Sequence, residues 1–241
     1  MPCPAEMRLL VAWAACLVWC LCWGAQAQVP VRVSLRHNWH NYSDSAAHAA
    51  PLLEMMEAAG QVWPHAFFSL VSRIWSHPSA GGELKDMSYE RLYHHMEGVL
   101  RSLAVDVHDA YPESHLEEWR TLVAQHAQAA KVESYYQMFE AGSNLRSLNV
   151  PCDTFVHVNG HAYCSLPAAR QAIQALNTSS PLLAHDHVHP SHTAPGPSLV
   201  LYADPYSTSI HEFHDMLHAL SSTSHVKYVF RWRPSVASVK S

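Results

Sequence analysis

Glycine is scarce in this chain, with eight in 241 residues, and no glycine-dependent phosphate loop occurs: neither G-x-x-x-x-G-K-[S/T] nor G-x-G-x-x-G. Nothing therefore cradles a nucleotide phosphate. There is no G-x-S-x-G elbow to mark a hydrolase serine, although composition leaves a Ser/His/Asp triad open. There is also no D-x-D pair of the kind that holds the metal of a nucleotide-sugar transferase. Charge is low too: 15 Lys and Arg stand against 20 Asp and Glu, a formal net charge of -5, and no basic block appears. That balance argues against a nucleic-acid partner. An ordinary apolar content of 49% excludes a disordered chain. The length suffices for one sizeable domain, or one domain with a large insertion.

Long hydrophobic runs are equally few. Leu9 to Trp23 is the single candidate, fifteen residues behind a short segment carrying Arg8 and followed by Gly24-Ala25-Gln26-Ala27. It is shorter than the roughly 20 residues a spanning helix needs. With small residues after it, it reads as a secretory signal peptide, residues 1–27, cleaved after Ala27. Cleavage removes four of the six cysteines and leaves Cys152 and Cys164. Glu6 and Arg8 leave together, so the net charge is unchanged. In an oxidising compartment the two remaining cysteines allow one intramolecular pairing. Between them TFVHV alternates as a strand, Asn159-Gly160 signals a hairpin turn and HAYC returns. A disulfide across the hairpin mouth follows, worth about 3 kcal/mol in the chain-entropy model. Asn41-Tyr42-Ser43 and Asn177-Thr178-Ser179 are N-glycosylation acceptors that fit the same compartment.

Periodicity predicts a first strand over 31–36 and then a nearly all-helical region, about 46–150. Helices begin at Pro51, Trp63, Ser88, Glu113 and Val132, and a loop rich in Ser, Pro and Gly spans 76–86. After Pro151 come the hairpin, a helix over 167–176 and an exposed His/Pro/Ser-rich loop over 177–197. A buried strand at 198–203, a helix at 207–220 and a last strand at 227–232 complete the pattern. The expected fold is α/β: a small sheet interrupted by an all-helical insertion, within a domain over 28–235 and with a polar tail at 236–241.

Twenty histidines are the conspicuous excess. His185, His187, His189 and His192 could chelate a metal, but they lie in an aperiodic loop, so a solvated insertion is the favoured reading. His214 and His218 stand at i, i+4 on a helix. Asp215 replaces the Glu of the zinc-protease pattern and no third ligand follows, so they read as a polar outer face. His94 and His95, and His37 and His40, have no partner spacing.

Four blocks carry a family resemblance. They are VRVSLRHNWHNYSDSAAHAAPLLEMMEAA, then Cys152-Asp153-x-Phe155-Val156 with Gly160 and Cys164, then LVLYADPYSTSIHEFHDMLHAL, then Val226 to Pro234. In order and spacing, over roughly 30–235, they resemble the amino-terminal region of the UDP-glucose:glycoprotein glucosyltransferases. The resemblance implies a thioredoxin-like fold without a redox C-x-x-C, in the endoplasmic-reticulum lumen. It makes His214 a family helix position. It further implies a folding-sensor module whose partners are misfolded glycoproteins and the remaining domains of the enzyme, with no nucleic acid and, after signal cleavage, no membrane. In the family, UDP-glucose and calcium belong to a carboxy-terminal glycosyltransferase domain. This chain is expected to stop short of that domain, to hold no cofactor and to be a fragment or short form, so no catalytic residue is assigned. The alternative is a secreted His-rich metal-binding protein. Trp63, Phe67, Phe68 and Trp75 carry two readings, ordinary helix packing or an exposed surface for unfolded clients.

Overall fold

The computed structural model describes residues 49–140, 150–190, 197–223 and 226–233. All lie in one compact unit, Ser34–Ser241. The proposed signal peptide, the strand at 31–36, Asn41, His37, His40, His192 and the tail lie outside the described residues.

The helical half is built around α1 (Ala50–Val62), which starts with a proline in its first turn. Leu52, Leu53, Met55, Met56, Ala58 and Ala59 are buried, and so are Glu54 and Glu57. A helix buried on most of its circumference belongs at the centre of a layer. Around it lie α2 (Phe67–Ile74), which follows a 3-10 turn at Pro64–Ala66, and α3 (Ala80–Lys85). The layer is completed by α4 (Tyr89–Asp106), α5 (Pro112–Ala124) and α6 (Ala129–Glu140). The predicted helix start at Ser88 holds, since its hydroxyl accepts from the Arg91 N–H. Trp119 on α5 is buried and donates its indole N–H to the Met55 carbonyl of α1 at 3.0 Å. The expected loop at 76–86 contains α3.

The shortage of glycine shows at two helix ends. At the end of α4, His108 adopts φ 52°, with Asp109 N–H bonded to Ala104 O and His108 N–H to Val105 O. At the end of α5, His126 adopts φ 50° and repeats the pattern with Leu122 and Val123. These are Schellman closures with histidine at the left-handed position that glycine usually takes.

The sheet consists of β1 (Phe155–Val158), β2 (His161–Tyr163), β3 (His187–Val188), β4 (Ser198–Ala203) and β5 (Lys227–Trp232). Its order is β2-β1-β4-β5-β3. β4 and β5 are parallel, joined through α8 (Ile210–Thr223), and the other pairs are antiparallel. Every residue of β4 is buried, as a central strand covered on both faces requires. Asn159 and Gly160, at φ 49° and 83°, make the hairpin turn between β1 and β2, where both central residues need positive φ. The helix α7 (Leu166–Gln174) follows.

Side chains alternate across the sheet. Val156, Val158, Leu199, Leu201, Tyr228, Phe230 and Trp232 join the core shared with the helices. Phe155, Val200, Tyr202 and Val229 form a smaller cluster on the other face. Each fully buried large side chain contributes about 1.5–3 kcal/mol.

The stretch 177–190 is exposed over much of its length, as its composition predicts, but it is also tied to the sheet. Ser179 bridges to Ser198, and His187 and Val188 pair with Phe230 and Val229 as an edge strand. Asp186 accepts a bidentate pair from Arg231, Nε at 2.7 Å and Nη2 at 2.6 Å, with both side chains buried. Long-range partners order a segment that has no periodicity of its own.

Candidate functional site

Two places invite chemistry: the turn that leads from β4 into α8, and the seam where α2, α8 and the 185–189 segment meet. The turn runs Asp204-Pro205-Tyr206-Ser207-Thr208-Ser209. Asp204 is buried, and its Oδ1 accepts from the Tyr206 N–H at 2.9 Å. The helical layer closes over this turn. Trp75 donates its indole N–H to the Pro205 carbonyl at 3.1 Å. α3 brings Gly81 so close that an added Cβ would lie 2.7 Å from the Tyr206 carbonyl oxygen and 2.8 Å from that of Ser207. Burial, and then the nearby Asp204 carboxylate, push the Tyr206 phenol well above its usual range.

At the seam, His214 is buried, which corrects its expected place on a polar outer face. Its Nδ1 lies 2.9 Å from the Tyr228 hydroxyl, and its Nε2 lies 2.9 Å from Ser72 Oγ and 3.1 Å from the Phe68 carbonyl. Ser72 also lines an open groove of about 610 Å³ between α2 and α4, with Arg73, His94, His95 and Ser102. A serine, a histidine and a third group in line have the outline of a nucleophile-base-orienter relay. The Phe68 carbonyl decides against it. That oxygen only accepts, so Nε2 carries the proton and donates, leaving Nδ1 to accept from Tyr228 O–H. An Nε2 already protonated cannot take the Ser72 proton. Burial, followed by the neighbouring His218, pushes the imidazole down to about 3, too weak a base for neutral pH. Ser72 itself donates to the Phe68 carbonyl at 3.2 Å, the common back-bond of a helical serine.

The other end of the seam is charged. Glu57 on α1 is buried, and its Oε1 accepts from Trp232 Nε1 at 2.8 Å and His187 Nε2 at 2.9 Å. Lys131 Nζ lies 2.5 Å from Oε2. Burial alone would raise this carboxyl. His187 and then Lys131 outweigh it and hold the pKa at about 2. The His187 ring stacks on Phe67 with centroids 3.5 Å apart. Burial, and then the Glu57 charge, push the Tyr135 phenol far above its usual range.

The loop histidines are therefore packed side chains rather than a solvated cluster. His187 binds Glu57, His185 meets the Tyr135 ring edge-on at 5.1 Å, and His189 is buried against Phe68. Among the described residues no group of three or more His, Cys, Asp or Glu is placed to hold a metal ion. Trp63, Phe67, Phe68 and Trp75 are all buried, so the client-surface reading of these four falls and helix packing stands. Among the described residues the exposed large apolar side chains are Val105, Val107, Tyr111, Leu182 and Val188.

Cys152 and Cys164 form a disulfide, with Cα atoms 5.8 Å apart across the mouth of the hairpin. Asn177 is exposed beyond the end of α7. The hairpin tip reaches it, because Asn159 Oδ1 accepts from the Asn177 and Thr178 N–H groups, each at 3.3 Å. The same Asn159 donates its amide to the Ala175 carbonyl at 3.0 Å. No periodicity signals the Glu57 or His214 networks, since each includes partners more than a hundred residues away, His187 and Trp232 for Glu57 and Phe68 and Ser72 for His214.

A family model for a thioredoxin-like domain matches residues 49–241. The chain belongs to the thioredoxin-like domain family. Among curated proteins none matches it significantly. In a thioredoxin-like domain a redox dithiol is expected at a helix start beside a βαβ unit. Here that position is the β4–α8 turn, which has no cysteine and whose first carbonyls meet Trp75 and Gly81. The two cysteines among the described residues are joined to each other on the hairpin. The match is to the fold family and does not single out the glucosyltransferases.

Proposed function

We propose that this chain is a non-catalytic thioredoxin-like module of the endoplasmic-reticulum folding sensor, the amino-terminal region of a UDP-glucose:glycoprotein glucosyltransferase. The observation that carries the reading is the β4–α8 turn. A thioredoxin-like domain whose redox position has no thiol serves as a binding scaffold. The four ordered sequence blocks support the choice of family. On this reading residues 1–27 direct the chain into the lumen, Asn41 and Asn177 carry N-glycans, and misfolded glycoproteins are the clients. Glucose transfer belongs to other domains of the enzyme.

The decisive experiment compares binding of the chain to native and misfolded forms of one glycoprotein. Preferential binding of the misfolded form is expected, and equal affinity for both overturns the sensor role. Endoglycosidase treatment of the protein from secretory cells is expected to release two glycans. An unshifted band removes the lumenal assignment.

A further inference from the structure

Four imidazoles gather where α8 rests on α2. His211, His214 and His218 come from α8, and His189 comes from the segment after β3. His189 and His218 have ring centroids 4.9 Å apart, and His214 and His218 are 5.7 Å apart. Phe68 stacks on His214 and meets His189 at an angle. The groups facing His214 can be named element by element. α2 offers the Phe68 carbonyl and the Ser72 hydroxyl, while its Arg73 turns away to Ser102 and Asp106. β5 offers the Tyr228 phenol. The segment after β3 offers His189, and α8 offers His211 and His218. Among the described residues the nearby carboxylate is Asp215, about half exposed and 3.4 Å from His211.

We propose that this cluster makes the packing of α8 on α2 an acid-sensitive latch, closed while His214 is neutral and opened by its protonation ahead of the rest of the domain. The inference rests on the seam alone and is independent of the sensor reading. A proton on Nδ1 of His214 would turn the Tyr228 hydroxyl from donor to acceptor. It would also put a buried charge beside other imidazoles, with no buried carboxylate among the described residues to meet it. Burial already pushes His214 down to about 3 from its ordinary 6.5, so the closed form rejects a proton that the opened form takes up. The sign follows: below pH about 6.5 the open form binds more protons, and the latch weakens as pH falls toward 3. The other end of the seam differs in geometry, because Glu57 sets a buried carboxylate against His187.

Hydrogen exchange of the full chain between pH 7.5 and 5.0, corrected for intrinsic rates, tests the proposal. The opening equilibrium of α8 and α2 is expected to rise roughly 30-fold for one excluded proton, with α1 and α5 unchanged. His214→Gln can still donate to Phe68 and accept from Tyr228 without titrating, and should flatten the dependence. His187→Gln should leave it intact. A pH-independent α8, a uniform loss across the domain, or a wild-type dependence in His214→Gln overturns the latch. Should His214→Gln not fold at pH 7.5, NMR of the wild-type His214 ring takes its place. A ring still neutral in the closed form at pH 5.0 supports the latch, and a ring that titrates near 6.5 overturns it.

Discussion

The two ends of the seam between the 185–189 segment and the helices solve one problem by opposite means. At one end His187 meets a buried carboxylate, Glu57, shared with Lys131 and Trp232. At the other, His214 is held by a carbonyl and a phenol, with other histidines around it. The first arrangement sets a buried carboxylate against its imidazole, and the second, among the described residues, offers its imidazole none. Both sit against adjacent rings of α2, Phe67 and Phe68. A histidine count therefore says little about acid response, since the partner decides it.

The largest effect should come from breaking the charged end. Glu57→Ala leaves Lys131 and His187 without their buried carboxylate and should cost about 3–5 kcal/mol, read as a drop in the urea midpoint at pH 7. A loss under 1 kcal/mol would mean that water reaches the site and replaces the carboxylate. Glu57→Gln, which keeps the volume, should recover only part of this.

Acid titration of global stability sharpens the contrast next. His214, lowered to about 3 from 6.5, gives stability that is complete above pH 6.5 and lost as pH falls toward 3. Glu57, lowered to about 2 from 4.5, gives stability that is complete above pH 4.5 and lost toward 2. Both slopes have the same sign, because the unfolded chain binds the extra proton in each window. Urea midpoints taken every half unit should therefore fall in two stages, the first removed by His214→Gln and the second by Glu57→Gln. A single stage near pH 4 in the wild type would contradict the assignment of the upper window.

A smaller effect tests a place away from the seam. Gly81→Ala pushes a methyl against two backbone carbonyls that side-chain rotation cannot move. It should destabilise by about 1–3 kcal/mol, the ordinary cost of overpacking, and leave both acid windows where they were. The smallest change is a gain. His108 is exposed in left-handed backbone, and His108→Gly should stabilise by up to about 1 kcal/mol, seen as a higher Tm. His126→Gly should gain less, because His126 also meets Glu54 at 3.0 Å.

Local signals made much of the fold legible. Asn159-Gly160 declares its turn because few other pairs accept two positive φ values, and Ser88 declares a helix start because its side chain caps the following turn. The disulfide followed from counting and from the hairpin. The segment 177–190 was not legible, because Arg231 and Glu57, which order it, stand about 45 and 130 residues away along the chain. His214 was misplaced for a related reason. Hydropathy alone puts a histidine outward, and only the Phe68 carbonyl and the Tyr228 phenol make its burial cheap. The four aromatics at 63–75 could be read either way until the sheet supplied their partners.

Gly81 constrains more than its own helix. An added Cβ there would strike the Tyr206 and Ser207 carbonyls, so α3 pins the first half of the β4–α8 turn, while Thr208 just before α8 stays exposed. The residue at 81 and the shape of that turn can therefore change only together.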